Sequence, residues 1–362
     1  MNVAQKLHSL GQRLWLDNIS RDLLDNGRLQ HYIQHFSISG LTSNPTIFDT
    51  AIGAGHAYDS AILQKVKAGK SGEGLFIELA LEDLRRAADL FRPLFTCSQK
   101  QHGWVSIEVS PLLAGDTEGS IEAAHRIYQQ ADLRNLFVKI PGTPAGIPAI
   151  EALIFAGIPI NVTLLFSCEQ YHAAAEAYMR GIERRIEAGL NPDVASVASL
   201  FVSRWDVAVN ANVPESLHNQ LGIAICGRSY RVWQSMLETP RWHRLAEQGA
   251  RPQRLLWAST GTKDPAAPPT LYIEALIAPD TINTVPEKTL LAFVDQGKAE
   301  MAVMDGADCE VTLSRFAHNG TDIAALALQL QQEGTQAFVK SWQQLLQRIA
   351  TKGTALSGKV AV

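Results

Sequence analysis

The chain has 362 residues, 46% of them hydrophobic and 19% charged, with a formal net charge of −4. That balance excludes a disordered chain, and the interspersed signs leave no basic patch for nucleic acid or a membrane surface. No window of about 20 apolar residues reads as a membrane span, and "MNVAQKLHSLGQRLWLDNIS" at the start has no apolar run of the signal-peptide kind.

In chain order, the first β-type run is "RLWLD" (13–17), ending in Asp17. "ISGLTSN" (38–44) follows and closes on Thr42, Ser43 and Asn44; its "SNP" is also a common loop start. "GLFIELALEDLRRAADLFRPLF" (74–95) has a broad apolar face and is predicted helical. "WVSIEVS" (104–110) carries Glu108, and "LFVKIPG" (136–142) carries Lys139. After it, Thr143 is predicted as a helix N-cap, with Pro144 at the first helical position and Gly157 as the stop. "PINVTLLF" (159–166) holds Asn161 and Thr163, and "SCEQ" (167–170) reads as a capping box for a helix ending at Gly189. "VASVASLFVSR" (194–204) holds Ser199 and Arg204. "RLLWAST" (254–260) ends in Ser259 and Thr260, and "LYIEALIAP" (271–279), with Glu274, is taken as the eighth run.

Strand and helix in alternation imply a parallel sheet with helices outside it. Eight such strands predict an α/β fold of the (β/α)8 TIM-barrel type, a single domain over 1–362. Extra helices fall in 45–75, and roughly 291–362 forms a helical C-terminal extension packed on the barrel. An open doubly wound sheet is the alternative, but no GxGxxG follows any strand. The four cysteines (Cys97, Cys168, Cys226, Cys309) form no CxxC pair, and the ten histidines have no metal-site spacing. Those absences predict no metal and a reducing, cytoplasmic setting.

Chemistry in such barrels sits at the C-terminal ends of the strands, where Asp17, Thr42, Asn44, Glu108, Lys139, Asn161, Thr163, Ser199, Arg204 and Ser259 all fall. Each has a plain structural reading: Asp17 as a cap, Asn161 and Thr163 as polar residues satisfied by backbone, Glu108 and Lys139 as a buried ion pair. A lysine is a costly occupant of a buried strand unless it is paired. Lys139 either snorkels to the surface, pairs with a carboxylate, or is kept neutral to attack a carbonyl. The last needs an acid/base partner, which Glu108 and Asp17 supply by type. Arg204 and the loop "STGTKDP" (259–265), with Ser259 and Lys263, would suit a phosphate; the same loop also reads as an exposed turn.

The blocks "LWLDNIS", "SGLTSNPTIF", "VSIEVSP", "LFVKIPGTPAGIPAIEAL", "GIPINVTLLFS", "VASLFVSRWD", "WASTGTKDP" and "YIEALIAPDTINTVPEKT" resemble, in order over about 13–295, those of the transaldolase family. The resemblance implies a barrel of the class I aldolase kind in the pentose phosphate pathway. It would move a dihydroxyacetone unit from sedoheptulose 7-phosphate or fructose 6-phosphate to an aldose phosphate, with no cofactor. It implies Lys139 as Schiff-base nucleophile, Asp17 as the acid/base at the C4 hydroxyl, and Glu108 working with a water near Thr163. Asn44 and Asn161 would hold the dihydroxyacetone moiety, Ser199 and Arg204 would bind substrate and phosphate, and Thr42 and Ser259 join the binding set. The chain departs from the pattern at Gly261, where well-known members carry a second phosphate-binding arginine; Lys263 is the proposed replacement. That loop and the longer C-terminal region resemble a long bacterial-type form. Phe201 stands where aldolase-like relatives carry a tyrosine, which favours transfer over release. Sugar phosphates are the expected partners, and a homodimer is allowed. The alternatives are a fructose 6-phosphate aldolase and a catalytically silent binding barrel, which would lack one of Asp17, Glu108 and Lys139.

Overall fold

Near-continuous apolar runs are what a parallel sheet covered on both faces requires, and such runs build seven of the eight strands. The computed structural model describes residues 2–302 and 306–360. The strands are β1 (Arg13–Asp17), β2 (Ile38–Thr42), β3 (Trp104–Glu108), β4 (Leu136–Pro141), β5 (Ile160–Leu165), β6 (Ser196–Phe201), β7 (Arg254–Ala258) and β8 (Ile282–Val285). They pair in parallel, each with its neighbours in sequence, and β8 closes on β1. Helices cover the outside, so the molecule is a TIM barrel with surrounding helices and a long C-terminal one.

The eighth strand is not where the apolar pattern placed it. Leu271–Glu274 is one turn of helix, and Leu276, Ile277 and Ala278 continue as buried irregular chain. Glu274 therefore lies at no strand end; its side chain accepts from the backbone of Lys298. The strand is the more polar "INTV", whose Asn283 is fully buried and donates to the Tyr272 carbonyl at 3.2 Å. A short apolar run reports burial and not conformation, and here the two part company.

Punctuation after β4 differs by two residues. The helix begins at Gly146, and Thr143 and Pro144 form a turn before it. The Thr143 hydroxyl still accepts from the Gly146 amide at 3.1 Å, so the capping chemistry is present one turn early. Gly157 ends that helix at φ +86°, a left-handed conformation for which glycine is the natural residue. Ser167 and Gln170 make the reciprocal capping box, and the helix they start, Cys168–Glu187, stops just before Gly189 at φ +69°.

The C-terminal helix, Ile323–Val360, lies across the helices Pro45–Gly53, Asp59–Lys67 and Gly72–Cys97. Phe338, Trp342, Leu345 and Ile349 are its buried stripe. Gln331 fixes its register: its buried amide donates to the carbonyls of Gly142 at 3.0 Å and Leu164 at 2.9 Å, just past β4 and within β5. Among the described residues no helix is long and apolar enough to cross a membrane.

Candidate active site

Parallel pairing aligns the polar residues at the strand ends. Asp17 pairs with Thr42 across β1 and β2, Glu108 with Lys139 across β3 and β4, and Lys139 with Asn161 across β4 and β5. Register-paired residues point to the same face of a sheet, so these side chains meet inside the barrel.

Lys139 and Glu108 are an ion pair with side chains only 7% exposed each. The amine donates to Glu108 Oε1 and, at 2.9 Å, to the carbonyl of Ser43. Burial raises the Glu108 carboxyl above the ordinary carboxylate range; the Lys139 charge opposes that and the Asp17 charge adds to it. A carboxyl held high beside an amine is placed to receive that amine's proton. Asp17 is raised too, chiefly by burial, with the Thr42 hydrogen bond and the charges of Lys139 and Lys263 acting the other way. The Thr42 hydroxyl donates to Asp17 Oδ1 at 2.7 Å. Its single hydrogen is thereby used, so the Thr284 hydroxyl, 2.6 Å away, donates to Thr42.

Asn161 is fully buried, accepting from Ser199 Oγ at 2.7 Å and donating to Ser106 Oγ at 3.4 Å. Asn44 caps the helix Pro45–Gly53 by accepting from the Ile47 amide at 3.1 Å, which leaves its amide hydrogens for other partners. Thr163 is buried, and its hydroxyl has no partner among the described residues. Leu164, the next residue, has φ +57°, in the irregular part of the β5–β6 ladder.

The mouth of the barrel is cationic. Arg204 stands over the rings of Phe201 at 5.2 Å and Phe338 at 5.8 Å, and burial lowers its guanidinium pKa from the ordinary value. Ser259, at φ +56°, has its hydroxyl 3.0 Å from that of Ser203. Gly261 adjoins Pro286, and the Lys263 amine folds back to 3.9 Å from where a Gly261 side chain would begin.

A cavity of about 150 Å3 collects nine of the eleven predicted residues: Asp17, Thr42, Asn44, Lys139, Thr163, Ser199, Arg204, Ser259 and Lys263 all border it. Glu108 borders a side chamber of about 10 Å3 that it shares with Lys139 and Thr163, and Asn161 touches the cavity through Ser199. Three contributors escaped the sequence reading. The Ser43 carbonyl is backbone and leaves no signal. Thr284 sits on the strand that the apolar pattern missed. Phe338 arrives from the C-terminal helix, which was expected on the barrel but at no particular place on it.

The transaldolase/fructose-6-phosphate aldolase family profile matches residues 14–349. A transaldolase of Parafrankia sp. strain EAN1pec is 41% identical over 362 residues, covering 97% of this chain and 98% of that one. A transaldolase of Thiobacillus denitrificans is 41% identical, covering 96% of this chain and all of that one. A protein of Nostoc sp. strain PCC 7120 named transaldolase 2 is 37% identical, covering 99% of both chains.

Proposed function

Because the chain belongs to the transaldolase/fructose-6-phosphate aldolase family, we propose that it is a transaldolase, moving a dihydroxyacetone unit between sugar phosphates. The observation that carries this reading is the buried Lys139–Glu108 ion pair, whose lysine shares one cavity with Asp17. A lysine there has a proton acceptor on one side and a carboxylate within electrostatic reach on the other.

Glu108 takes a proton from the Lys139 ammonium. The neutral amine attacks C2 of the donor ketose phosphate and forms a carbinolamine. Glu108 returns its proton to the C2 hydroxyl, which leaves as water, and the C2–N double bond of the iminium forms. The side chamber next to Thr163 is the size of about one water molecule. Asp17 then removes the C4 hydroxyl proton. The C3–C4 bond breaks, its electron pair passes into the iminium, and the aldose phosphate departs. The remaining enamine attacks an incoming aldose phosphate by the same steps in reverse, and hydrolysis frees Lys139.

Asn44, Asn161 and Ser199 supply amides and a hydroxyl suited to the dihydroxyacetone hydroxyls. Arg204 and Lys263 supply the charge for the phosphate. The folded-back Lys263 amine lies beside the Gly261 backbone, the position where the family pattern has arginine, but as a point charge it lacks the bidentate fork. Phe201 borders the cavity and offers no proton to the enamine, which favours transfer over release.

The test supplies fructose 6-phosphate with and without erythrose 4-phosphate. With the acceptor, sedoheptulose 7-phosphate should accumulate over many turnovers. Fast multiple-turnover release of free dihydroxyacetone without acceptor would instead indicate an aldolase, and no turnover of either kind would indicate a silent barrel.

A further inference from the structure

The barrel has a second mouth, at the N-terminal ends of its strands and away from Lys139. A cavity of about 320 Å3 lies there, larger than the catalytic one, with Arg13, His102 and Arg254 among its rim residues and the rings of Trp15, Trp104 and Phe137 in its lining. Sequence position explains the layering. Trp15 precedes Asp17 by two residues on β1, and Phe137 precedes Lys139 by two on β4, so each pair shares an inward face. Gly40 on β2 makes room for Trp15, since a Cβ there would lie 2.5 Å from the indole. Trp104 stacks on Phe137 with centroids 4.2 Å apart. These rings form a plug between the two cavities.

Charge at this mouth is unbalanced. Arg251 and Lys100, also in the lining, share Asp193. Arg13 and Arg254 meet no carboxylate within ion-pair distance among the described residues. Arg13 donates to the carbonyls of His8 and Gln12 and to the His102 ring, and Arg254 to the carbonyls of Asp280, Gln101 and Thr281. Arg254 is held down to about 10, by burial first and the neighbouring Arg13 second, with Asp280 opposing. An anion in the cavity would offset the repulsion from Arg13 and favour the charged form.

One buried N–H group also lacks an acceptor. Arg13 Nε donates to His102 Nε2 at 3.1 Å, so that nitrogen carries no hydrogen. The ring is neutral, pushed down to about 3 by burial, then Arg254 and Arg13, which puts its proton on Nδ1. That N–H has the Gln101 backbone beside it, whereas Trp15 Nε1, packed against Gly40, is buried without a partner among the described residues. Buried donors left unpaired are costly and rare. A purely structural role for the arginines, tying down loop carbonyls, explains their hydrogen bonds. It does not explain a cavity of about 320 Å3 with aromatic rings in its lining beneath them.

We propose that this lower mouth is a binding site, separate from the catalytic cavity, for an organic anion with a flat apolar body. The rings of Trp15, Trp104 and Phe137 take the apolar part, and Arg13 and Arg254 take the charge. The volume is at the small end of ligand pockets, enough for one fused-ring or single-ring anion.

The dye 8-anilino-1-naphthalenesulfonate is a suitable probe, read by its own fluorescence on the folded, full-length protein and independent of any catalysis. Saturable binding at one dye per chain is expected, undisturbed by excess fructose 6-phosphate. N-phenyl-1-naphthylamine, the same ring system without the sulfonate, should bind at least about tenfold more weakly. Arg254→Gln and Arg13→Gln should each weaken the dye about tenfold, while Arg254→Lys retains most of the affinity. No saturable binding, equal binding of the neutral analogue, or displacement by fructose 6-phosphate would overturn the proposal. The neutral analogue keeps the test decisive if an arginine variant fails to fold.

Discussion

Glu108 and Lys139 stand opposite one another in the register of adjacent parallel strands, and the amine donates to the carboxylate across that pair. The pairing gives the proposed nucleophile a built-in proton acceptor. Glu108→Gln keeps the shape and a hydrogen-bonding oxygen but cannot take the proton. Adduct formation on Lys139 should then slow by about 10²–10⁴-fold. A single-turnover experiment with fructose 6-phosphate and a borohydride quench measures it, and an unchanged rate would remove Glu108 from this role.

Asp17 is separated from the pair by function as well as by strand. Asp17→Asn should still form the Schiff base, because Lys139 and Glu108 are untouched, but should cleave about 10²–10⁴-fold more slowly. Mass spectrometry of the borohydride-reduced protein distinguishes the two states. The wild type should carry the three-carbon fragment and the variant the intact six-carbon sugar phosphate. A three-carbon adduct at wild-type rate in the variant would count against Asp17.

Lys263 reaches the cavity from the loop after β7, doubling back over Gly261. Lys263→Ala should raise KM for a phosphorylated donor by roughly ten- to a hundredfold, the loss of one charge-assisted hydrogen bond, with kcat little changed. Unphosphorylated donors should show no such change. Steady-state kinetics on both donor types would detect a lysine that merely decorates the surface, since then neither KM would move.

Asp206 has no part in the proposed chemistry, and its effect is on stability. It is 1% exposed and accepts from Tyr272 Oη at 2.7 Å and the Leu221 amide at 2.9 Å. Burial pushes it up to about 6, against the Tyr272 and backbone hydrogen bonds. The folded state thus holds a proton that the unfolded chain has lost. The stability this contributes is complete below the unfolded value near 3.8 and is lost as pH rises through about 6. Asp206→Asn has no such proton. Relative to that variant, the wild type should lose about 2–3 kcal/mol between pH 3.5 and 7. Urea midpoints across that range check the trend, and parallel curves for the two proteins would refute it.

The polar strand ends that gather round Lys139 were legible in the sequence because they interrupt apolar strands. Lys139 and Glu108 stand out against Val138, Ile140, Ile107 and Val109, and the interruption itself is the signal. β8 stayed hidden for the opposite reason: its polar Asn283 and Thr284 are buried and make hydrogen bonds inside, so apolar content pointed to the neighbouring Leu271–Ala278 stretch instead. Thr143 misled because a hydroxyl can cap a turn as well as a helix. Phe338 and Gln331 depend on where a helix far along the chain docks, which periodicity cannot specify. The lower mouth leaves a weaker trace in the sequence, because Arg13, Trp104 and Arg254 are strand beginnings and interrupt no apolar run.

The central claim is that Lys139 is the nucleophile. Incubation with fructose 6-phosphate, reduction with borohydride and peptide mapping test it most directly. One stable three-carbon adduct per chain is expected, on the peptide containing Lys139, and none in Lys139→Met. A protein that turns over donor and acceptor yet carries no adduct at Lys139 would contradict it.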